Sequence, residues 1–357
     1  MDRFYPFARK KPKEFMMAFV VMADDGIAFD GTTPSHSAIG GAEGAFIALA
    51  EALAARGHRV LVRNHCRGSL HEKGVSWTPL AEGGPDACDL FIANRGTRLL
   101  ALVPHAARRV FWLHNPGQYL RKVRNLWPLL RYRPVMVFSG AYHQSTVPPW
   151  VPSGGRAIIP LGLAPEFREP QVRRPPPPRA IFVSNPLRGL DWLLDLWERR
   201  ISRECPEAEL DLYCGPQVYG AVSEVKAARM AKILARAESL AGKGVRRHAP
   251  LPRAGLISAL REARVMLYRG DRGETFCLAL AEAQALGLPA VIQPLGSVAE
   301  RVEDGVTGAV AADEDTFVAR ALALLQDDGL WQRQHEAALT RQGGLPWDEV
   351  AKRFEEL

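Results

Sequence analysis

Short apolar runs alternate with longer stretches of helical periodicity from one end of the chain to the other. The apolar runs are typical of strands that are buried on both faces in a parallel sheet. We predict strands at residues 17–23, 59–63, 90–93, 110–113, 135–139, 180–184, 209–214, 246–249, 265–269 and 290–293. Apolar residues at helix spacing predict helices at 42–56, 190–202, 224–240, 253–263 and 274–286. This alternation predicts an α/β fold, with helices on both faces of parallel sheets.

A proline-rich stretch divides the alternation into two series. Residues 165–179 contain four consecutive prolines, which can join neither a helix nor a central strand, so we expect a stiff interdomain linker there. The chain has 357 residues, more than one hydrophobic core usually holds. We therefore expect two α/β domains, at 1–170 and 171–345. Residues 346–357 are predicted to form a terminal amphipathic helix that packs on another part of the fold.

Composition and cysteine usage are those of a globular protein with a full core, since 47% of the residues are hydrophobic and 24% charged. The five cysteines are scattered without a CxxC pair, which favours free, buried thiols and a reducing compartment. No histidine or cysteine cluster has zinc spacing.

The apolar run at 16–23 is too short for a signal-peptide core or a bilayer span, so we expect a cytoplasmic protein.

The positive charge is concentrated in the first half of the chain. Residues 1–170 have 21 Lys and Arg against 13 Asp and Glu, whereas 171–357 have 25 against 26. Two segments, 9–13 and 121–133, hold much of the excess, and the second also contains Trp127 and Leu130. That mixture suits an anionic membrane surface or a phosphate-bearing substrate, with a solvated basic surface as the alternative. No helix-turn-helix, zinc-finger or aromatic RNA-binding signature is present, so we expect no nucleic-acid partner.

Two glutamates, Glu274 and Glu282, bracket an apolar stretch after a glycine-containing loop. We place Glu274 in the first turn of the predicted helix, where phosphates and negative groups meet free N–H groups. Glu282 lies two turns further, among apolar residues, and requires a partner. Sugar or ribose hydroxyls suit it, because a carboxylate can accept hydrogen bonds from two hydroxyls. An amphipathic helix with two solvated glutamates is the alternative.

Four further motifs lie beyond the predicted strands, where ligands of open parallel sheets bind. They are a glycine loop with Gly40 and Gly41, a strand-end His114, a turn with Asn185 and Arg188, and a helix start with Gly296 and Ser297. Glycines let a backbone approach a phosphate, and an arginine can pair with a diphosphate. The histidine can donate to a substrate hydroxyl or act as a general base. A plain helix start, a surface arginine and a structural histidine remain open as alternatives.

Taken in order, these motifs resemble those of retaining glycosyltransferase family 4, nucleotide-sugar enzymes of the GT-B fold. The resemblance runs from about residue 16 to the C-terminus. It implies two Rossmann-like, doubly wound domains whose parallel sheets face a central cleft, with the donor in the second domain and the acceptor mainly in the first. It also implies that the terminal helix at 346–357 crosses back to the first domain, which would give Trp347 its partner.

The resemblance implies a role for each candidate residue. Glu282 would accept the ribose hydroxyls, and Glu274 would lie beside the donor sugar. Arg188 would take the place of the family's diphosphate-binding lysine, next to Asn185. The remaining donor-binding residues would be Gly40, Gly41, Gly296 and Ser297. His114 would lie near the donor sugar and the acceptor hydroxyl. With Glu274 and Arg188, His114 completes the predicted catalytic set.

The chain also departs from the family pattern. The Gly-Arg-Leu that usually precedes the lysine is Val183-Ser184-Asn185 here, so one diphosphate cation is missing from its usual place. Arg269 or Arg272 are candidates to replace it. The Pro-Ser that often precedes the first glutamate is absent, which points to a different donor-sugar pocket. No Asp-x-Asp motif suited to a divalent ion is present, and we expect a UDP- or GDP-linked donor bound without a metal or other cofactor.

The expected activity is sugar transfer to an acceptor hydroxyl with retention of configuration, in the synthesis of a cell-surface polysaccharide or glycolipid. The basic first half suggests a lipid-linked or phosphorylated glycan acceptor and a peripheral position on the inner face of the membrane. Two alternatives remain: another GT-B enzyme, such as a nucleotide-sugar epimerase or a phosphorylase, and a non-catalytic binding protein of a membrane or polysaccharide-assembly complex.

Overall fold

The computed structural model describes residues 17–37, 39–215 and 223–357. The basic segment at 9–13 lies outside these ranges. Within them the chain forms two large sheets that follow one another in sequence, and a two-stranded sheet between them. We call the part built on the first large sheet the first domain and the part built on the second large sheet the second domain.

The first domain has an eight-stranded sheet in the order β3-β4-β2-β1-β5-β6-β7-β8. Its strands are β1 Phe19–Asp24, β2 Arg59–Asn64, β3 Leu70–Glu72, β4 Val75–Pro79, β5 Ala87–Asn94, β6 His105–Trp112, β7 Val135–Phe138 and β8 Gly155–Ile158. All neighbours are parallel except β3, which runs antiparallel to β4. In the centre, Met22 is paired with Val62 on one side and Ile92 on the other. Alternate residues of β1 enter separate buried clusters, so both faces of the sheet are covered.

The second domain has a six-stranded, fully parallel sheet in the order β12-β11-β10-β13-β14-β15. Its strands are β10 Arg179–Phe182, β11 Glu209–Tyr213, β12 Val245–His248, β13 Val265–Gly270, β14 Ala290–Leu295 and β15 Gly308–Val310. The central strand β13 is buried at four successive residues, Val265 to Tyr268. One large apolar cluster packs around this sheet.

The helices connect the strands as an α/β fold requires. In the first domain they are α1 Thr33–His36, α2 Gly41–Ala55, α3 Val123–Tyr132 and α4 Ala141–Ser145. In the second they are α5 Leu190–Leu196, α6 Ser202–Glu204, α7 Glu224–Ser239, α8 Arg253–Glu262, α9 Leu278–Ala285, α10 Glu314–Gln326 and α11 Asp328–Arg341. The last helix, α12, spans Trp347–Glu355. Among the described helices, none is both long and apolar enough to span a bilayer.

The chain passes between the domains twice, and the two passages pair with each other. Strand β9, Gly162–Leu163, runs parallel to β16, Leu345–Pro346. Helix α12 then packs on α2 of the first domain, where its Glu355 accepts hydrogen bonds from Arg56 and His58. The ring of Trp347 lies against Gly162. Both passages therefore lie side by side, close to the first domain.

The proline-rich segment is fixed to the second domain. Arg264 donates to the Pro176 carbonyl at 2.9 Å, and the backbone N–H of Arg173 donates to His335 at 3.0 Å. Phe167 at its start is fully buried in the second-domain cluster. The segment predicted as an interdomain linker is thus packed on the second domain, and the chain crosses between the domains at β9 and β16.

Two predicted helices differ from the structure. The helix expected at 274–286 begins only at Leu278, so Glu274 is not in its first turn. The helix expected at 190–202 changes to a π-helical turn at Trp197–Ile201 before a last short turn. The prediction of free, buried thiols agrees with the structure, in which all five cysteines are free and buried.

Candidate functional site

The turn after β10 presents Arg188 at the carboxyl edge of the second sheet. The Asn185 side chain accepts a hydrogen bond from the Leu187 N–H at 2.9 Å, and its carbonyl accepts from the Arg188 N–H at 2.9 Å. Gly189 follows with φ of +83°, a conformation that suits glycine, and begins α5. The Asn185 side chain thus shapes the turn that holds the arginine.

Glu274 is buried, with 3% of its surface exposed, and two side chains bind it. Arg188 Nη1 donates to its Oε1 at 2.7 Å, and the Tyr268 hydroxyl donates to the same oxygen. Tyr268 is also buried, and its hydroxyl lies 3.1 Å from Ser184 Oγ. Because Tyr268 looks like an ordinary residue of a buried strand, no sequence pattern predicts this contact.

The prediction that Glu274 occupies the first turn of a helix is wrong. The residue lies in a loop, four positions before α9, and Asp271 accepts the hydrogen bonds that form the preceding turn. Cys277 immediately precedes the helix with φ of +63°, in the left-handed region. The N–H groups of the first helical turn are therefore those of residues after Cys277, and Glu274 lies beside that helix start.

Glu282 lies in the middle of α9 and is half-buried. Loss of water contact raises the pKa of its carboxyl to about 8, and the charge of Arg253 at the start of α8 opposes this rise. Among the described side chains and backbone groups, none forms a hydrogen bond with this carboxyl. Glu282 is one turn beyond Leu278, on the same side of the helix. It is a half-buried carboxyl for which the described protein supplies no hydrogen-bond donor.

Gly296 and Ser297 support the Glu274 loop from beneath. The Ser297 N–H donates to the Glu274 carbonyl at 3.2 Å, and Ser297 has no exposed surface. A side chain at Gly296 would collide with the Asp271 carbonyl. The predicted helix start is a single 3-10 turn, Val298–Glu300. The Ser297 N–H therefore already has an acceptor within the protein.

In the first domain, Gly40 and Gly41 begin α2 and face the start of α9. A Cβ built on Gly41 would lie 3.5 Å from Leu278 Cδ2. The turn is held in place by Glu43, which accepts a hydrogen bond from Arg95 Nη1 at 2.7 Å. Arg95 in turn donates to the fully buried Asp24 at the end of β1. A buried ion cluster thus fixes the glycine turn against the sheet.

His114 follows β6, and its ring lies 4.5 Å from that of Trp112. Burial holds the pKa of His114 well below its ordinary value, and the charges of Arg95 and His143 lower it further. Its Nε2 atom is buried and has no hydrogen-bond partner in the part of the chain that the structure describes. The imidazole is therefore neutral near pH 7, and its buried Nε2 has no hydrogen-bond partner among the described residues.

Hydrogen bonds between the domains converge on the Glu274 loop. Thr275 Oγ1 donates to the His114 carbonyl at 2.8 Å, and Ser139 Oγ donates to the Thr275 carbonyl at 2.8 Å. The Tyr142 hydroxyl donates to the Arg272 carbonyl at 2.8 Å. Phe276 packs into the first-domain cluster. The structure therefore brings His114, Glu274 and Arg188 into one region between the domains.

A second contact between the domains joins Glu300 to the start of α4. Its Oε1 accepts a hydrogen bond from the Tyr142 N–H at 2.6 Å. Gly140 permits this approach, since a Cβ there would collide with the other Glu300 oxygen. Glu300 ends the motif that contains Gly296 and Ser297, but sequence patterns did not single out Tyr142, Ser139 or Thr275, because their partners lie in the other domain.

A cavity of about 420 Å³ adjoins the Arg188 turn and the loop before Glu274. Arg269 and Arg272 line it, as does Trp192. The Arg269 guanidinium lies over the Trp192 ring at 5.1 Å and donates to the Gln293 side chain at 3.2 Å. Both arginines considered as replacements for the missing cation are thus near the Arg188 turn. Within the described ranges, no group of three or more His, Cys, Asp and Glu is arranged to hold a metal ion.

The family match lies in the second domain. Residues 177–327 match the family model described as glycosyl transferases group 1. A D-inositol 3-phosphate glycosyltransferase of Kribbella flavida is 33% identical over 105 residues, which are 29% of this chain and 24% of that protein. The corresponding enzyme of Thermobifida fusca is 32% identical over 108 residues, 30% of this chain and 25% of that protein. The alignments thus span about a quarter of the length of these curated relatives.

Structural comparisons extend over both domains. Sucrose-phosphate synthase from Thermosynechococcus elongatus superposes with a TM-score of 0.71 at 16% identity, covering 95% of this chain and 98% of that one. Anabaena HepE in complex with UDP and glucose gives 0.69 at 13% identity, with coverage of 95% and 98%. WaaG, a glycosyltransferase involved in lipopolysaccharide biosynthesis, gives 0.66 at 14% identity, with coverage of 94% and 98%.

At these identities the structural comparisons establish the fold, and the family match supplies the relationship. Both agree with the expectation that the sequence motifs gave. Residues 177–327 match the glycosyl transferases group 1 family model, and the part of the chain that the structure describes has the two-domain GT-B fold.

Proposed function

We propose that this protein is a glycosyltransferase that moves a sugar from a nucleotide-sugar donor to an acceptor hydroxyl, with retention of anomeric configuration. The observation that carries the proposal is the Glu282 carboxyl. It is half-buried without a hydrogen-bond donor from the described residues, on the α9 face that meets Gly41. The two hydroxyls of a ribose match the two oxygens of such a carboxylate.

The donor diphosphate would lie between Arg188, the start of α9 and the glycine turn of the first domain. The Arg188 side chain is 40% exposed, so a ligand in the cleft can reach the guanidinium. The N–H groups at the start of α9 add a second source of positive potential. Together these groups would stabilise the charge that develops on the leaving diphosphate, in the proposed mechanism without a metal ion.

Glu274 would orient the donor sugar and not attack it. Its Oε1 is already bound by Arg188 and Tyr268, which hold the carboxylate in one position. In the proposed reaction the bond between the anomeric carbon and the phosphate oxygen breaks, and the acceptor oxygen attacks from the same face. The departing phosphate takes the proton of the acceptor hydroxyl. His114, neutral near pH 7, would position that hydroxyl or the sugar through Nε2.

For the donor we propose a UDP- or GDP-linked sugar. Support for UDP comes from structural relatives, since HepE was solved with UDP and glucose and with UDP-glucose, and an Escherichia coli relative was solved with UDP-2-fluoro glucose. For the acceptor we propose a lipid-linked or phosphorylated glycan of a cell-surface polysaccharide or glycolipid, met at the inner face of the membrane. The role of WaaG in lipopolysaccharide biosynthesis supports this class of acceptor.

A nucleotide panel tests the donor site. Ligands that bind only the folded state raise its melting temperature. We expect one of UDP, GDP, ADP and dTDP to raise it, and Glu282→Gln to weaken the effect, since an amide cannot accept two hydroxyl hydrogen bonds in the same way. Glu224→Gln, at an exposed position of α7, is the matched control and should behave as wild type. If no nucleotide raises the melting temperature of the wild type, the enzyme proposal fails.

Three other functions would give different outcomes. A nucleotide-sugar epimerase would convert the donor without releasing nucleotide, and a phosphorylase would require inorganic phosphate. A binding protein of an assembly complex would release nothing. Chromatography of the nucleotides after incubation with donor, with and without acceptor or phosphate, separates the three, because a transferase releases nucleotide only with an acceptor.

A further inference from the structure

Helix α3 has two apolar sides, and only one of them is buried. Leu129 is fully buried in a first-domain cluster, and Leu126 packs against the same cluster. On the other side, Val123, Trp127 and Leu130 are 81%, 67% and 53% exposed. Positions i, i+4 and i+7 lie on one face of a helix, so these three side chains form a continuous stripe. A stripe of this size on a short helix exceeds what folding of this chain requires.

A neighbouring loop has a further exposed tryptophan. Trp150 is 58% exposed and follows two prolines. Arg133, at the end of α3, donates to the Ser153 carbonyl at 3.1 Å, and the Gly154 N–H donates to the Pro134 carbonyl at 2.9 Å. These bonds hold the loop at the C-terminal end of α3. We define the tryptophan face as Val123, Trp127, Leu130 and Trp150.

Cations without acidic partners surround the tryptophan face. All five are exposed, and in the described ranges none forms an ion pair with a carboxylate: Arg121, Lys122, Arg124, Arg131 and Arg133. Residues 101–150 contain seven Lys and Arg and no Asp or Glu. The partner of this surface must therefore supply negative charge and accept tryptophan and leucine side chains.

We propose that the tryptophan face and its five cations bind the surface of an anionic lipid bilayer. Tryptophan is favoured at the boundary between headgroups and acyl chains, and arginine and lysine are attracted to anionic headgroups. Helices with an apolar side and basic flanks lie in the plane of this boundary. A second copy of the chain is a poorer partner, because a symmetric contact would bring five cations against five.

The position of α3 connects this surface to the cleft. Asn125 near its start donates to the Tyr119 carbonyl at 2.7 Å, and the Tyr119 hydroxyl donates to the Arg95 carbonyl at 3.0 Å. Arg95 belongs to the ion cluster that fixes the glycine turn. The helix is thus fastened to the carboxyl edge of the first sheet. This link to a lipid-bound acceptor rests on the proposed function, whereas binding to the bilayer does not.

Flotation of the full chain with lipid vesicles tests the proposal. The probes are vesicles of phosphatidylcholine alone and vesicles with one third phosphatidylglycerol, at low and high salt. We expect binding to the anionic vesicles only, weakened by salt. Arg124→Gln with Arg131→Gln should lower the partition coefficient about thirtyfold, from about 1 kcal/mol for each cation near an anionic surface. The matched control, Lys226→Gln with Lys232→Gln, removes two exposed cations from α7 and should bind as wild type.

A second variant tests the apolar part. Trp127→Gln with Leu130→Gln alters only exposed side chains and should lower binding about tenfold or more, whereas Val225→Gln on α7 should not. The proposal would be overturned if the α3 and α7 variants bound anionic vesicles equally well. Equal binding of the wild type to neutral vesicles would overturn it too, as would self-association through α3 without vesicle binding. Stabilisation by nucleotide, measured on the same variants, should be unchanged. It reports on the donor site separately, so failure of one proposal is distinguishable from failure of the other.

Discussion

Arg188 and Glu274 form a 2.7 Å ion pair that joins two loops of the second domain at the carboxyl edge of its sheet. The carboxylate is buried, whereas the guanidinium is 40% exposed. Glu274, the residue assigned to the donor sugar, thus holds the Arg188 guanidinium in place, while the arginine side chain remains partly exposed. In the proposed mechanism the same pair positions both the diphosphate and the sugar.

Loss of Arg188 should affect binding of the diphosphate more than binding of the nucleoside. A hydrogen bond between charged groups contributes about 1.5–3 kcal/mol, which corresponds to roughly a tenfold to hundredfold change in affinity. We expect Arg188→Gln to weaken UDP or GDP binding by that factor and binding of the matching monophosphate by less. Calorimetric titration measures both. Arg203→Gln, at an exposed position of α6, is the control. Equal effects on diphosphate and monophosphate would contradict the assignment.

Tyr268 should act through the position of Glu274. Tyr268→Phe removes the hydroxyl that donates to Oε1 and leaves a buried carboxylate with one fewer partner. We expect kcat to fall about tenfold with little change in the KM for the donor, and the free energy of unfolding to fall by about 1–3 kcal/mol. Tyr213, whose ring stacks on that of His248, lies in another part of the domain, so Tyr213→Phe should change neither kcat nor the KM for the donor. A loss of stability with unchanged kcat would reduce Tyr268 to a structural role.

Glu282 should make stability depend on pH. Its folded-state pKa of about 8 lies above the ordinary 4.5, so the folded protein binds more protons than the unfolded chain between these values. The free energy of unfolding should therefore fall as pH rises from about 5 to 8, by on the order of 3 kcal/mol. Urea denaturation at several pH values across this range measures the free energy of unfolding. In Glu282→Gln this free energy should change less with pH than in the wild type. An unchanged slope would mean that another group titrates.

Donor affinity should also depend on the ionisation of Glu282, but it should rise with pH where stability falls. If ribose hydroxyls donate to the ionised carboxylate, binding requires loss of the proton, and affinity should rise as pH approaches 8. Calorimetry in two buffers of different ionisation enthalpy should reveal a proton released on binding at pH 7. Glu282→Gln should release none.

Gly140 tests the contact between the domains. A methyl group there would collide with the Glu300 carboxylate, so Gly140→Ala should weaken the contact between the domains that the structure shows. We expect kcat to fall about tenfold while nucleotide affinity stays within about twofold, because most of the proposed donor contacts, those of Arg188, Glu282 and the start of α9, belong to the second domain. Gly242→Ala, where a methyl group meets no atom within 4 Å, is the control. A parallel loss of nucleotide affinity would argue against a role in closure.

Much of the fold follows from local pattern. Strand β2 and helix α2 are within one residue of their predicted bounds, because apolar periodicity and glycine signals coincide there. The short strands β3 and β15 and the helices α10 and α11 were not predicted from the sequence. The family resemblance also identified the GT-B arrangement, which periodicity alone does not determine.

The candidate site was less predictable, since contacts distant in sequence shape it. The stretch from Glu274 to Cys277 continues the helical pattern of α9, yet hydrogen bonds to Arg188, Ser139 and the His114 carbonyl hold it outside the helix. Cys277 adopts a left-handed conformation that a non-glycine residue rarely takes, and no local signal announces it. Tyr268 and Glu300 act through partners that only the folded arrangement brings near.

The most direct test of the account is release of nucleotide from the donor that the nucleotide panel identifies. The purified protein is incubated with that nucleotide-sugar and a lipid and polysaccharide extract of the organism that makes it, and nucleotides are separated by chromatography. We predict release that depends on the extract and falls at least a hundredfold in Glu274→Gln, while Glu224→Gln releases nucleotide as the wild type does. Equal release by Glu274→Gln and wild type would contradict the assigned site, and no release by a wild type that binds the donor would contradict the proposed transfer.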